Sequence, residues 1–175
     1  LNLKERDFVI ISGGKIDARK NIDKLIKAFL KINNENLIEN FKFILFGKPV
    51  KELEEIISLV RKNTDVRYIE WLDSDEIHKY FLASDLAVFP GTHSVLWEEA
   101  VGLGLPCLFK KWKGIDHVDL GGNCLFIKEE NIEELTVFLL ELIRNKTTFT
   151  KLKKNAQKLG PRYFSYSEIS KRAIE

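Results

Sequence analysis

The chain has 175 residues, 45% hydrophobic and 31% charged, which is length and apolar content enough for one domain with a buried core. Its 28 basic and 26 acidic residues leave a net charge of +2, so no bulk field calls for nucleic acid as a partner. No run approaches the roughly 18 consecutive apolar residues of a membrane span, and the first residues do not form a signal peptide. Cys107 and Cys124 are the only cysteines and lack metal-site spacing; Cys107 sits in an apolar run and reads as a small core residue, and a reducing, cytoplasmic setting fits. Methionine is absent, and the sequence reads as an excised domain or a fragment of a longer protein, with cleavage of an initiator methionine as the other explanation.

The apolar run 8–12, bounded by polar residues and glycines, predicts a buried strand. A basic loop follows, Gly13-Gly14-Lys15-Ile16-Asp17-Ala18-Arg19-Lys20-Asn21, and then Ile22, Leu25, Ile26, Phe29 and Leu30 recur at helical spacing. Strand, glycine loop and helix is an arrangement that cradles phosphate on free amides. It is neither Gly-x-Gly-x-x-Gly nor a Walker A loop, and Gly47-Lys48 stands where a dinucleotide site needs an acid after the second strand. That second strand is Phe41–Phe46, and Leu53, Ile56, Ile57 and Val60 mark the next helix. A short strand, Val66–Ile69, precedes Asp73-Ser74-Asp75-Glu76, a capping element at a helix start and not a metal-binding Asp-x-Asp.

The stretch after strand Leu86–Phe89 organises the rest. Pro90 and Gly91 end the strand, Thr92 and Ser94 are expected as N-cap side chains, and a helix is expected from about Val95. The amides of Ser94, Val95 and Leu96 then face a phosphate at a positive dipole end, and Glu99 reaches back to accept ribose hydroxyls. Glu98 points about 100° away from Glu99 and is expected to be a solvated carboxylate. A strand at 105–109 leads to a long loop, 110–123, holding Trp112, Gly114, His117, Gly121 and Gly122, either functional or plain surface. The last strand is 124–127, followed by a helix on Leu135, Phe138, Leu139, Leu142 and Ile143. The lysine-rich stretch 146–158 reads as a solvated helix face, with contact to an anionic membrane surface as the other reading. Gly160-Pro161 is expected to break the chain before the closing segment. Alternating strands and helices imply an α/β fold, a Rossmann-like, mostly parallel sheet with helices on both faces.

The segment from Ser94 through Glu99-Ala100 to Gly104 and Pro106 resembles the Glu-x7-Glu region of retaining, nucleotide-sugar-dependent glycosyltransferases of GT-B fold. In that resemblance Glu99 matches the ribose-binding second Glu, while Gly91 stands where the family's first Glu contacts the donor sugar. His93 is the nearest group in sequence to take over the sugar. Gly14-Lys15 and Lys20 match the family's paired basic residues, which implies contact with the donor diphosphate, and residues 69–72 fall beside the donor base. The resemblance therefore implies catalytic roles for Lys15, Lys20 and His93, and donor binding by Gly13, Gly14, Lys15, Lys20, Ser94, Val95, Leu96 and Glu99. It implies a C-terminal donor-binding domain over 1–175, whose segment 161–175 crosses back to an N-terminal domain that holds most of the acceptor site. It implies transfer of a sugar, with retention, from a UDP- or GDP-linked donor to a glycan or lipid-linked acceptor, with no cofactor and no resident metal. The implied location is the cytoplasm or the inner face of its membrane. A sugar-nucleotide epimerase of the same fold and a non-catalytic nucleotide-sugar-binding module are the alternatives.

Overall fold

The computed structural model describes residues 3–129 and 131–174, and in it each apolar run becomes a strand of one sheet. In chain order these are β1 (Phe8–Gly13), β2 (Phe41–Phe46), β3 (Val66–Ile69), β4 (Leu86–Phe89), β5 (Cys107–Lys110) and β6 (Cys124–Ile127). The helices are α1 (Ile22–Asn34), α2 (Glu54–Lys62), α3 (Ser74–Leu82), α4 (Leu96–Gly102), α5 (Ile132–Arg144), α6 (Lys146–Phe164) and α7 (Tyr166–Ile174). The strand order is β3-β2-β1-β4-β5-β6 and every neighbouring pair is parallel. The chain winds outward from β1 to β3, then returns to the other side of β1 with β4. That reversal opens a crevice beyond the carboxyl ends of β1 and β4, the place where such sheets bind ligands.

Alternation along the strands sorts the core into two layers. Ile10, Phe43, Leu45, Val88 and Leu108 face the layer of α1, α2 and α5. Val9, Ile11, Ile44, Ala87, Phe89 and Phe109 face the layer of α3 and α4, where Trp97 stacks on Phe109 with centroids 4.2 Å apart. Cys107 and Cys124 are register partners on β5 and β6 and lie buried in this second layer. Burial raises both thiols, Cys124 to about 12, so both are packing residues.

Two local expectations are corrected. Gly160-Pro161 does not break the chain, because α6 runs through Pro161 to Phe164. Tertiary packing outweighs the lost amide here: a Cβ on Gly160 would lie 1.9 Å from the Val101 carbonyl oxygen, so α6 is pressed onto α4 at that turn. The break falls instead at Ser165, whose extended backbone separates α6 from α7. Nor does Thr92 or Ser94 cap α4, whose N-cap is Val95 with no side-chain capping bond. Asp73, by contrast, caps α3 by accepting from the Glu76 amide at 2.8 Å. No helix among the described residues is long and apolar enough to cross a membrane.

Candidate donor site at the switch point

The loop after β1 and the turn after β4 are fastened to each other. Asp17 starts a short 3-10 turn (Ala18–Lys20) by accepting from the Arg19 amide at 3.1 Å and its guanidinium at 2.9 Å. The Arg19 side-chain bond holds the Asp17 carboxyl below the usual carboxylate range. Asn21 takes a left-handed conformation, φ 52°, and its buried amide donates to the Pro90 carbonyl at 3.1 Å. The Thr92 amide donates to the Arg19 carbonyl at 2.9 Å. Lys20 completes the clasp, its Nζ donating to the carbonyls of Thr92 and His93 at 2.8 and 2.9 Å. Partial burial lowers the pKa of Lys20, with Asp17 opposing the shift.

This clasp explains the glycine at 91. A Cβ there would stand 2.3 Å from the Lys20 carbonyl carbon and 2.4 Å from the Arg19 carbonyl oxygen. No side chain fits between the two loops, so a glutamate at this position would push the clasp open. Gly13 is likewise required by packing, since its Cβ would meet the Phe46 carbonyl oxygen at 2.3 Å.

Two cavities flank the start of α4. The first, about 330 Å³, is lined by Gly14, Lys15, Phe46, Trp71, Leu72, Ile77 and Leu96, among others. The second, about 190 Å³, is lined by His78, Val95, Glu98, Glu99, Phe164 and Tyr166, among others. Ile77 and Leu96 face the first while His78 and Val95 face the second, so the cavities share a wall. Lys15 is exposed at the first, and Trp71, 79% exposed, forms one side of it. Among the described residues the Glu99 carboxylate accepts one side-chain hydrogen bond, from the Tyr166 hydroxyl at 3.5 Å, the outer limit of such a bond. Among the described residues, no acceptor bonds the backbone amides of Ser94, Val95 and Leu96.

The sequence-expected residues thus gather beyond the carboxyl ends of the central strands β1 and β4, but not in one hollow. Gly14, Lys15 and Leu96 line the first cavity, and Val95 and Glu99 line the second. Gly13, Lys20, His93 and Ser94 line neither; Lys20 and His93 form the clasp between the loops.

Glu98 overturns its expectation. It is no solvated carboxylate: its side chain is 21% exposed, and Oε1 contacts Nε2 of His93 at 2.7 Å and Nε2 of His117 at 2.6 Å. His117 comes from the long loop after β5, which Trp112 also ties down by donating its indole N–H to the Gly91 carbonyl at 3.1 Å. The loop's length, aromatics and glycines were the only sequence signal for this group.

A parallel sheet wound in this order, with both loops at its switch point, is the Rossmann-like architecture of the C-terminal domain of GT-B glycosyltransferases. The chain belongs to the family described as glycosyl transferases group 1, whose model matches residues 1–159. It superposes on the C-terminal domain of a glycosyl transferase group 1 family protein (LpcC) from Francisella tularensis with a TM-score of 0.75 and 16% identity, covering 92% of this chain and 87% of that one. It matches sucrose-phosphate synthase from Thermosynechococcus elongatus with a TM-score of 0.78 and 18% identity, covering 99% of this chain and 45% of that one. Anabaena Alr3699/HepE, solved with UDP and glucose, matches with a TM-score of 0.74 and 17% identity over 96% of this chain and 47% of its own. At these identities the likeness is one of fold, and the chain spans under half the length of the last two proteins. No individually curated protein matches the sequence significantly.

Proposed function

We propose that this chain supplies the donor site of a retaining glycosyltransferase that moves a sugar from a UDP- or GDP-linked donor to a glycan or lipid-linked acceptor. The observation that carries the reading is the clasp at the switch point, where Lys20 joins the two loops beside the cavity that Gly14 and Lys15 line. In this reading the nucleobase lies in the first cavity against Trp71 and Leu72. The ribose hydroxyls donate to Glu99 across the shared wall. Lys15, the third donor of Lys20 and the amides of Ser94, Val95 and Leu96 meet the diphosphate. Their work is to stabilise charge that develops on the departing nucleoside diphosphate, which is an electrostatic task. His93 stands beside these amides and replaces the absent glutamate as the group nearest the sugar. The acceptor is held by the protein's own N-terminal domain, and residues 161–175 reach toward it.

Calorimetry with UDP and GDP tests the site. Glu99→Ala should weaken nucleoside diphosphate binding by about 1.5–3 kcal/mol, the range for hydrogen bonds to a charged acceptor. Glu98→Ala should change it little, and the reverse ranking would show that the register of this motif is wrong. Product analysis on a donor panel separates transfer from epimerisation, because an epimerase returns an altered sugar nucleotide and no glycoside.

A further inference from the structure

The donor reading sets His93 near the sugar but assigns nothing to Glu98 and His117, or to the pairing of both imidazoles with one carboxylate. We infer that these three groups form a binding site for a first-row divalent transition ion of the Zn²⁺ class, a cation that the family resemblance does not imply. Their ligand atoms all lie within 4.8 Å of one another. They come from three places in the fold: the turn after β4, the first turn of α4, and the loop after β5.

The contact pattern favours a cation over a plain hydrogen-bond cluster. Both imidazoles aim the same atom, Nε2, at the same carboxylate oxygen, at 2.7 and 2.6 Å. The other oxygen, Oε2, is buried and has no partner. Two donors serving one carboxylate spread over its two oxygens at lower cost, since a buried unsatisfied acceptor is unfavourable by about 1–3 kcal/mol. A cation placed among the three groups takes lone pairs from both nitrogens and from the carboxylate that they share. Bonds of about 2.0–2.2 Å in a tetrahedral site space the ligand atoms roughly 3.3 Å apart, a spacing that the observed contacts and the 4.8 Å limit bracket.

The rings are held in place. His93 lies edge-on to Trp97 with centroids 5.2 Å apart, His117 meets Phe164 at 6.2 Å, and the two imidazoles are 5.4 Å apart. Exposure rises from 21% at Glu98 through 33% at His93 to 47% at His117, so the cluster opens to solvent on one side. Two imidazoles and one carboxylate suit an ion of borderline softness, whereas Mg²⁺ and Ca²⁺ take oxygen ligands. Three protein ligands leave a coordination position for water or a substrate oxygen. Occupancy also ties the long loop to α4, so the ion should stabilise the fold.

The chain has 3 histidines, and His78, outside the cluster, serves as an internal control. The whole chain, freed of any affinity tag and stripped with EDTA, is titrated with Zn²⁺ by calorimetry and with Co²⁺ followed by visible absorption. The expected result is one equivalent of each ion, a Co²⁺ ligand-field band, and a higher Tm with Zn²⁺. Glu98→Gln, which keeps the side-chain shape, and His117→Ala, at a half-exposed position, should each weaken binding by about ten-fold or more and abolish the Tm rise. His78→Ala should bind as the parent does. Absence of stoichiometric binding, equal binding in His117→Ala, or loss of binding in His78→Ala would each overturn the assignment.

Discussion

Lys15 and Lys20 carry the same charge but not the same attachment. Lys15 is exposed at the rim of the first cavity, whereas Lys20 is partly buried and spends two donors on the carbonyls of Thr92 and His93. Lys20→Ala should therefore lower both nucleotide affinity and stability, the latter by about 1–3 kcal/mol, because it opens the clasp and strands two carbonyls. Lys15→Ala should lower affinity alone and stay within about 0.5 kcal/mol of the parent in stability. Urea melts and calorimetry on the two variants check this, and equal stability losses would mean that Lys20 does not hold the loops together. The sequence pattern placed both lysines at the site but could not rank them, since it does not show which one reaches a carbonyl 72 residues away. Glu98 and His117 escaped for the same reason: they meet across 19 residues and a loop with no periodicity. Gly91 was legible as a strand end and as a departure from the family pattern, but the cause of the departure, the Lys20 backbone behind it, is visible only in three dimensions.

At the scale of elements, the strands were legible because a doubly covered parallel strand must be apolar throughout, and such runs stand out between glycines and charges. α6 was misread at Gly160-Pro161, where local propensity and tertiary packing disagree. The same site gives a prediction of reversed sign. Replacing glycine by alanine inside a helix ordinarily stabilises by about 0.5–1 kcal/mol. Here the new Cβ would strike the Val101 carbonyl, so Gly160→Ala should destabilise by about 1–3 kcal/mol, the range for overpacking. A raised Tm for Gly160→Ala would show that α6 does not press on α4 at this turn.

A second element-level prediction concerns the amino end of the strands, opposite the site. Asp65, just before β3, accepts from Lys42 of β2 and from Asn33 of α1, the latter at 3.0 Å, and so fastens a helix and two strands. The Lys42 bond is the largest cause of its lowered pKa. A carboxylate depressed in the folded state adds stability at pH above its unfolded value, and loses it as pH falls through the folded value. Asp65→Asn should thus cost about 1–2 kcal/mol near neutral pH, discounted for partial exposure, and the gap to the parent should close in acid. Chemical denaturation at neutral and acid pH reads both values, and a gap that widens in acid would contradict the pairing.

At the scale of the whole molecule, binding and transfer separate. The clasp, both cavities and Glu99 lie on this chain, so it should hold UDP or GDP by itself. Part of that affinity comes from lysine charge near solvent, where screening acts over about 8–10 Å at 0.10–0.15 M salt, so it should fall as salt rises. Transfer makes a further demand. The acceptor must be held against the sugar, and positioning of this kind supplies several kcal/mol of the barrier. The residues assigned to the donor already occupy the switch-point crevice, and the proposed acceptor site belongs to the N-terminal domain. The chain alone should therefore bind nucleotide in a salt-dependent way and transfer no sugar, whereas the polypeptide carrying both domains should do both. Calorimetry across a salt series and product analysis with each form make the comparison. Efficient turnover by these 175 residues would place the acceptor site on this chain, and failure to bind any nucleoside diphosphate would remove the donor site from it.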